Sequence, residues 1–410
     1  MSDDLDGWGG AEFTFAADRL DTPDVVEAAD PSDMLRQVAS AAAQVRTALR
    51  SCAETDLSAF TPDARPRAVA VAGLGGSGLA GELLGAITGS SSPVQVVTTQ
   101  AGRLPGWIGA ADAVIAVSCS GTTTETIAVA VEAAGRGCRL AGVGAPGSPL
   151  QQIAEQARAP FVPVVASGLP RSLLWAAAVP LLVIAGRMGI TRIEPDVYEL
   201  TATRLEEIAH QCRPASESFV NPGKSLALDL VGALPMVWGT TPLSGVAARR
   251  FVSQLLQNAK YPAIAGVLPE AAHGQVAAFD GPFAPRSSRL AAASPEEPSS
   301  PLAAPEDLSG WGLGFEEEAE PSSGFTPLRL ILIADPGEDQ RVGAQRAAIA
   351  ELAEQRGVGL SELGMDGEHP LVRLAGVIQL TDYASVYLAI ASGIDPGQTV
   401  AIRDLKTRVE

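Results

Sequence analysis

The sequence predicts an α/β protein built of two doubly wound, three-layer αβα domains with mainly parallel sheets. Three observations carry that expectation. Short apolar runs stop at glycine or polar turns, as strands buried on both faces do. Helical stretches lie between them, as right-handed βαβ crossovers require. The whole rhythm then starts again after residue 194.

In the first repeat, residues 33–50 have helical spacing through Met34, Val38, Ala41 and Val45. The run 67–72 (RAVAVA) ends at Gly73 and reads as the first strand, followed by strands at 94–98, 113–117, 140–143 and 161–165. Helices fall at 79–87, 124–134 and 148–157, and the apolar run 173–186 reads as a buried helix that contains Pro180. In the second repeat, helices at 195–212 and 224–231 precede strand 234–238, helix 241–257 and strand 262–267. Strand 328–333 and helices 338–356 and 370–392 close it. The expected boundaries are a flexible acidic N-terminus (1–30), one domain at 31–194 and a second at 195–410. Residues 282–327, rich in Pro, Ser, Ala and Glu, read as a flexible insert within the second domain, because such composition buries too little apolar surface to offset ordering entropy. Its alternative reading is a docking segment that uses Trp311, Leu313 and Phe315, a small apolar cluster beside Glu316–Glu318.

Composition narrows the partners. The 410 residues are 46% hydrophobic but only 5% aromatic, so Ala, Val and Leu must fill the cores. A net charge of −18 argues against nucleic acid and anionic membranes, both of which need positive potential. The four cysteines contain no CxxC pair and there are three histidines, so neither a metal nor a disulfide framework is expected. The acidic start is unlike a secretory signal, and residues 173–186 are too few to span a bilayer. A cytoplasmic protein without a metal or organic cofactor is the expectation.

Two loops carry the chemistry. Gly73–Gly78 (GLGGSG) follows a buried strand and opens a helix, so its backbone can approach an anion near free helix N–H groups. Gly75, Gly76 and Ser77 are the candidate contacts. A dinucleotide site is the competing reading, but Leu79 stands where the third glycine belongs and no acidic residue ends the second strand. Ser118–Thr123 (SCSGTT) also joins a strand to a helix and places the Ser118, Ser120 and Thr123 hydroxyls around a turn. That set suits a phosphate, whereas the bland reading is a helix N-cap. Two such loops at adjacent strand ends favour a ligand site.

GLGGSG followed by SCSGTTTET resembles the N-terminal sugar isomerase (SIS) domain of the bifunctional phosphoglucose/phosphomannose isomerase family. GLPR at 168–171, QNAKYPA at 257–263, LPEAAHGQV at 268–276, LTDYASVYLAIASGIDP at 380–396 and LK at 405–406 extend the match. The resemblance implies two SIS domains and a homodimer with a shared active site. It also implies isomerisation of glucose 6-phosphate or mannose 6-phosphate to fructose 6-phosphate. By the same resemblance, Ser77, Ser118, Ser120 and Thr123 hold the phosphate, Arg171 lies near it, and Thr399 lines the sugar pocket. His273 and Lys406 open the ring, with His273 contributed across the dimer interface.

One position departs from the pattern. The family carries a glutamate, the base that moves the proton between C1 and C2, where this chain has Gln257. An amide cannot shuttle that proton near neutral pH. Glu270, three residues before His273, is the substitute carboxylate on offer. A catalytically silent sugar-phosphate sensor is therefore the rival reading, and a scaffold acting through Trp311 explains neither loop.

Overall fold

The computed structural model describes residues 17–285 and 326–409. Most of the expected insert, with Trp311, Leu313 and Phe315, lies outside the described residues, as do residues 1–16. Strand β1 (Ala68–Ala72) is buried along its whole length, and its alternation decides what it touches. Val69 and Val71 point into the large shared core, whereas Ala68, Ala70 and Ala72 face a smaller outer cluster. Helix α4 (Gly76–Thr88) leads to β2 (Gln95–Thr99), and β3 (Ala113–Ser118) leads through α5 (Thr124–Gly135) to β4 (Arg139–Gly144). Helix α6 (Pro149–Gln156) and the short β5 (Phe161–Pro163) complete the sheet. Its order is β2-β1-β3-β4-β5 and every pairing is parallel. The chain order therefore reverses between β1 and β3, the place where doubly wound sheets open a crevice at their strand C-termini.

The second unit repeats this plan with one strand fewer. Strands β6 (Leu234–Gly239), β7 (Ile264–Val267), β8 (Leu328–Ala334) and β9 (Gly359–Gly364) pair in parallel in the order β7-β6-β8-β9. Val237, Ile331 and Ile333 turn inward to the same core that receives Val69 and Val71. Met236, Trp238, Leu330 and Leu332 face an outer cluster. The expected α/β class with two doubly wound, mainly parallel units is thus observed, and the inner helix layers are shared between them.

Those inner layers are unusually apolar. Helix α7 (Leu174–Arg187) and helix α13 (Pro370–Ala391) are buried almost throughout, with α12 (Gln340–Gln355) on the outer side of the second sheet. By length and composition α13 could cross a bilayer, yet 94% of its apolar window is buried inside the fold. It packs on α8 (Pro195–Gln211), α9 (Pro222–Leu230) and α10 (Pro242–Gln254). Each large apolar side chain it buries contributes about 1.5–3 kcal/mol.

Several expectations are corrected. Flexibility over 1–30 fails from residue 17 onward. Helix α1 (Pro23–Ala29) forms, Leu20 and Val26 are buried, and the buried Lys224 ammonium donates to the carbonyls of Leu20, Pro214 (2.8 Å) and Ser216 (2.7 Å). The helix expected over 33–50 divides at Ser40 into α2 (Met34–Ala39) and α3 (Ala41–Glu54), where the Ser40 hydroxyl donates to the Gln37 carbonyl at 2.7 Å. Strand β9 was not expected, because an edge strand reading GLSELG carries too few apolar residues to stand out. Helix α14 (Val400–Val409) was not expected either, and residues 400–408 are all exposed.

Candidate active site

Both glycine and serine loops sit at the β1/β3 reversal. After β1, Gly75 takes φ +56° and opens α4 with no side-chain cap. A Cβ on Gly78 would stand 2.8 Å from the Gly73 carbonyl, so the loop can close this tightly only without one. Ser77, in the first turn of α4, is buried with its Oγ 3.9 Å from Cys119 Sγ. Burial pushes the Cys119 thiol up, which leaves it protonated and unreactive at neutral pH.

After β3, Ser118 is buried and acts as a hub. Its Oγ lies 2.9 Å from Thr123 Oγ1 and 3.3 Å from Ser120 Oγ, and it accepts from the Gly121 amide at 3.0 Å. Gly121 turns the chain with φ +68°. A Cβ there would meet Ser148 Oγ at 2.1 Å. Thr123 is the N-cap residue of α5, but its side chain does not cap the helix; it faces Ser118 instead. Capping therefore does not account for these hydroxyls. Thr122 and Ser120 are exposed, and Ser120 Oγ accepts from Thr122 Oγ1 at 3.0 Å. An uncapped helix start beside three clustered hydroxyls is a ready anion site.

A second group of residues gathers around Gln257. Helix α10 passes at its C-terminus into a π-helical turn, Leu255–Ala259, a distortion often found at functional positions. Gln257 is half-buried and donates from Nε2 to Ser253 Oγ at 2.9 Å. It lines a cavity of about 380 Å³ with Lys260, Asp395, Gln398, Thr399 and the first turn of α14. Lys260 closes the turn with φ +54°, and its Nζ donates to the carbonyls of Asn258 (3.0 Å) and Asp395 (2.7 Å). Loss of water, and then the charge of Arg171, hold the Lys260 ammonium below the usual lysine range.

Arg171 joins the two groups. It sits in a short turn, Pro170–Ser172, and a Cβ added to Gly76 would come within 3.5 Å of the Pro170 carbonyl. The arginine is buried; its Nε donates to Asn258 Oδ1 at 2.7 Å and its Nη2 to the carbonyls of Pro396 (2.5 Å) and Gly397 (2.9 Å). Burial lowers its pKa, opposed by Asp395.

The structure thus brings the loop of Gly75, Gly76 and Ser77 beside that of Ser118, Ser120 and Thr123 at adjacent strand ends, and it brings Gln257 and Thr399 to one cavity. It does not bring in the remaining three within the chain. Glu270 and His273 are exposed on the short helix α11 (Glu270–Gly274) that follows β7, and neither lines the Gln257 cavity. Lys406 is exposed on α14, beyond the turn that lines it. Lys260 and Asp395 were given no role by sequence reasoning. Lys260 lay inside the QNAKYPA match, but the π-helical turn that aims it has no sequence signature. No cluster of three or more His, Cys, Asp or Glu positioned for a metal occurs among the described residues.

Comparison with known proteins supports the resemblance read from the motifs. Residues 219–409 match the family described as the bacterial phospho-glucose isomerase C-terminal SIS domain. The chain is 24% identical over 341 residues to a bifunctional phosphoglucose/phosphomannose isomerase from Caldicellulosiruptor bescii, covering 83% of this chain and 89% of that one. It is 24% identical over 347 residues to the enzyme of the same name from Aquifex aeolicus, covering 84% and 91%. Among solved structures, a glucose-6-phosphate isomerase from Chlamydia trachomatis superposes with a TM-score of 0.62 at 13% identity, covering 96% of this chain and 84% of that chain. That last likeness speaks for the fold alone.

Proposed function

We propose that this relative of the bifunctional phosphoglucose/phosphomannose isomerases is a sugar-phosphate aldose–ketose isomerase. It would interconvert glucose 6-phosphate or mannose 6-phosphate with fructose 6-phosphate. The observation that carries the reading is the Ser118–Ser120–Thr123 hydroxyl cluster at the β1/β3 reversal, where Thr123 leaves its own helix uncapped. A phosphate dianion placed there gains charge-assisted hydrogen bonds and the helix dipole without needing a lysine. The sugar would extend towards the Gln257 cavity. Thr399 lines it, Lys260 supplies positive charge, and backbone donors steady an enediolate.

The reading includes a homodimer. Glu270 and His273 are exposed away from the Gln257 cavity of their own chain. Helix α14 shows water Ile402 and Leu405, one turn apart on one face, which suits burial against a second copy. In such a dimer His273 of the partner subunit opens the ring and Glu270 of the partner subunit is the available carboxylate. A sugar-phosphate sensor is the second reading, favoured by one observation: the residue in the base position is an amide, Gln257. Coupled assays with glucose and mannose 6-phosphates, beside calorimetric titration with fructose 6-phosphate, separate the two. Turnover supports the isomerase, binding without turnover supports the sensor, and absence of binding sinks both.

A further inference from the structure

Arg171 is positioned unlike a substrate ligand. Its carbonyl accepts from Arg250 Nη2 at 2.6 Å, and Arg250 grips Asp382 of α13 through two bonds of 2.9 and 2.8 Å. On the other side, Arg171 Nε donates to Asn258 Oδ1. Asn258 Nδ2 donates to Ser385 Oγ at 2.9 Å, and Ser385 Oγ donates to the Asp382 carbonyl at 2.7 Å. The path returns to the residue it left. All five residues are buried, and Arg250, Asn258 and Ser385 are at most 2% exposed.

We infer that this closed hydrogen-bonded circuit is a positioning device. Through it Arg171 holds the Gln257 turn and the Gly397–Thr399 segment in register, rather than binding substrate itself. The geometry explains why these five polar residues are kept in the interior. Asn258 lies in the π-helical turn between Gln257 and Ala259, just before the capping Lys260, so fixing its amide fixes the turn. The Nη2 bonds to Pro396 and Gly397 fix the chain just before Thr399, on the opposite wall of the same cavity. One guanidinium thus spans both walls. A lysine could not, because its ammonium lacks the planar fork that serves Asn258 and two carbonyls together. Pre-organisation of this kind matters because reacting groups must be held to within a fraction of an ångström.

The test uses Ser385→Ala, which lies in α13 away from the cavity and is well tolerated in a helix, together with Arg171→Lys. The inference concerns the proposed site but is read first without ligand, by hydrogen exchange of residues 255–260 and 396–402. Ser385→Ala should speed exchange in both segments by about tenfold or more while the rest of the fold keeps its protection. It should also weaken fructose 6-phosphate binding about tenfold. In the double variant the loss should fall well short of the product of the single losses, because both act on one circuit. Unchanged exchange in Ser385→Ala overturns the inference. So do multiplicative losses, which would make Arg171 an independent substrate ligand. Faster exchange in a protein whose wild type binds no fructose 6-phosphate leaves the circuit standing and sinks the proposed substrate.

Discussion

Replacing Gln257 with glutamate tests the mechanism most directly, and the surroundings allow its size to be worked out. The amide is half-buried on the wall of a cavity of about 380 Å³ and donates to Ser253 Oγ. A glutamate of nearly the same volume keeps that bond, since the serine hydroxyl can turn and donate to the carboxylate instead. Lys260 lines the same cavity with its positive charge, so an ionised carboxylate is accommodated. Two effects oppose each other. Restoring a general base raises the chemical rate by about 10² to 10⁴. For a separation on the order of 8 Å, repulsion between the new carboxylate and a phosphate dianion costs about 4 kcal/mol at an effective dielectric of about 20, and about 1.5 kcal/mol after screening by physiological salt. The rate term wins. Gln257→Glu should therefore gain about 10² or more in kcat on glucose or mannose 6-phosphate, with binding weakened by about tenfold. The assay is solvent-deuterium exchange into C1 and C2, beside coupled turnover. If Glu270 supplies the base, wild type is active, Glu270→Gln abolishes exchange, and Gln257→Glu changes little. Rapid exchange by wild type that survives Glu270→Gln would refute both assignments.

Ser120→Ala with Thr123→Ala removes two hydroxyls from the anion site. Fructose 6-phosphate affinity should fall roughly ten- to a hundredfold with an unchanged melting temperature, as hydrogen bonds to charged groups are worth about 1.5–3 kcal/mol; equal calorimetric affinity would remove the phosphate assignment. Lys224→Met leaves the carbonyls of Leu20, Pro214 and Ser216 without their shared buried donor. An unfolding free energy lower by about 2–4 kcal/mol in urea titration is expected, with proteolysis appearing first within residues 17–30; undiminished protection there would show that the N-terminal helix holds by packing alone. The buried Asp112 carboxylate is held below the usual range first by Arg67, which bonds it at 3.0 and 2.7 Å. A depressed carboxyl stabilises above its unfolded value, about 3.9, and loses that contribution as pH falls through its folded value. Wild type should exceed Asp112→Asn in stability at pH 6, and the gap should narrow by pH 3; a constant gap would contradict the ion pair's part in it.

The sequence by itself determined the elements that rest on local chemistry. AVAVA and AVIAVS read as strands buried on both faces, and the glycines of 73–78 and the hydroxyls of 118–123 marked a tight turn at each strand's end. The α/β class and the place of the two turns after β1 and β3 were legible because period, turn residues and strand ends are written within a few consecutive positions. What needed tertiary structure is what depends on distant residues meeting. Asn258 and Pro396 are brought to Arg171, far away in the chain, so the arginine that the resemblance set near the phosphate or sugar hydroxyls bonds to both. The π-helical turn that aims Gln257 and Lys260 has no pattern of its own, because a single inserted residue leaves helical periodicity almost intact. Strand β9 exists because β8 offers it a parallel edge, and its half-polar sequence carries no apolar run to betray it. Helix α13 was expected from sequence as a helix that closes the second domain. Only the packing of α8, α9 and α10 around it makes it the central beam of a folded core, since burial rather than composition decides where an apolar helix lies.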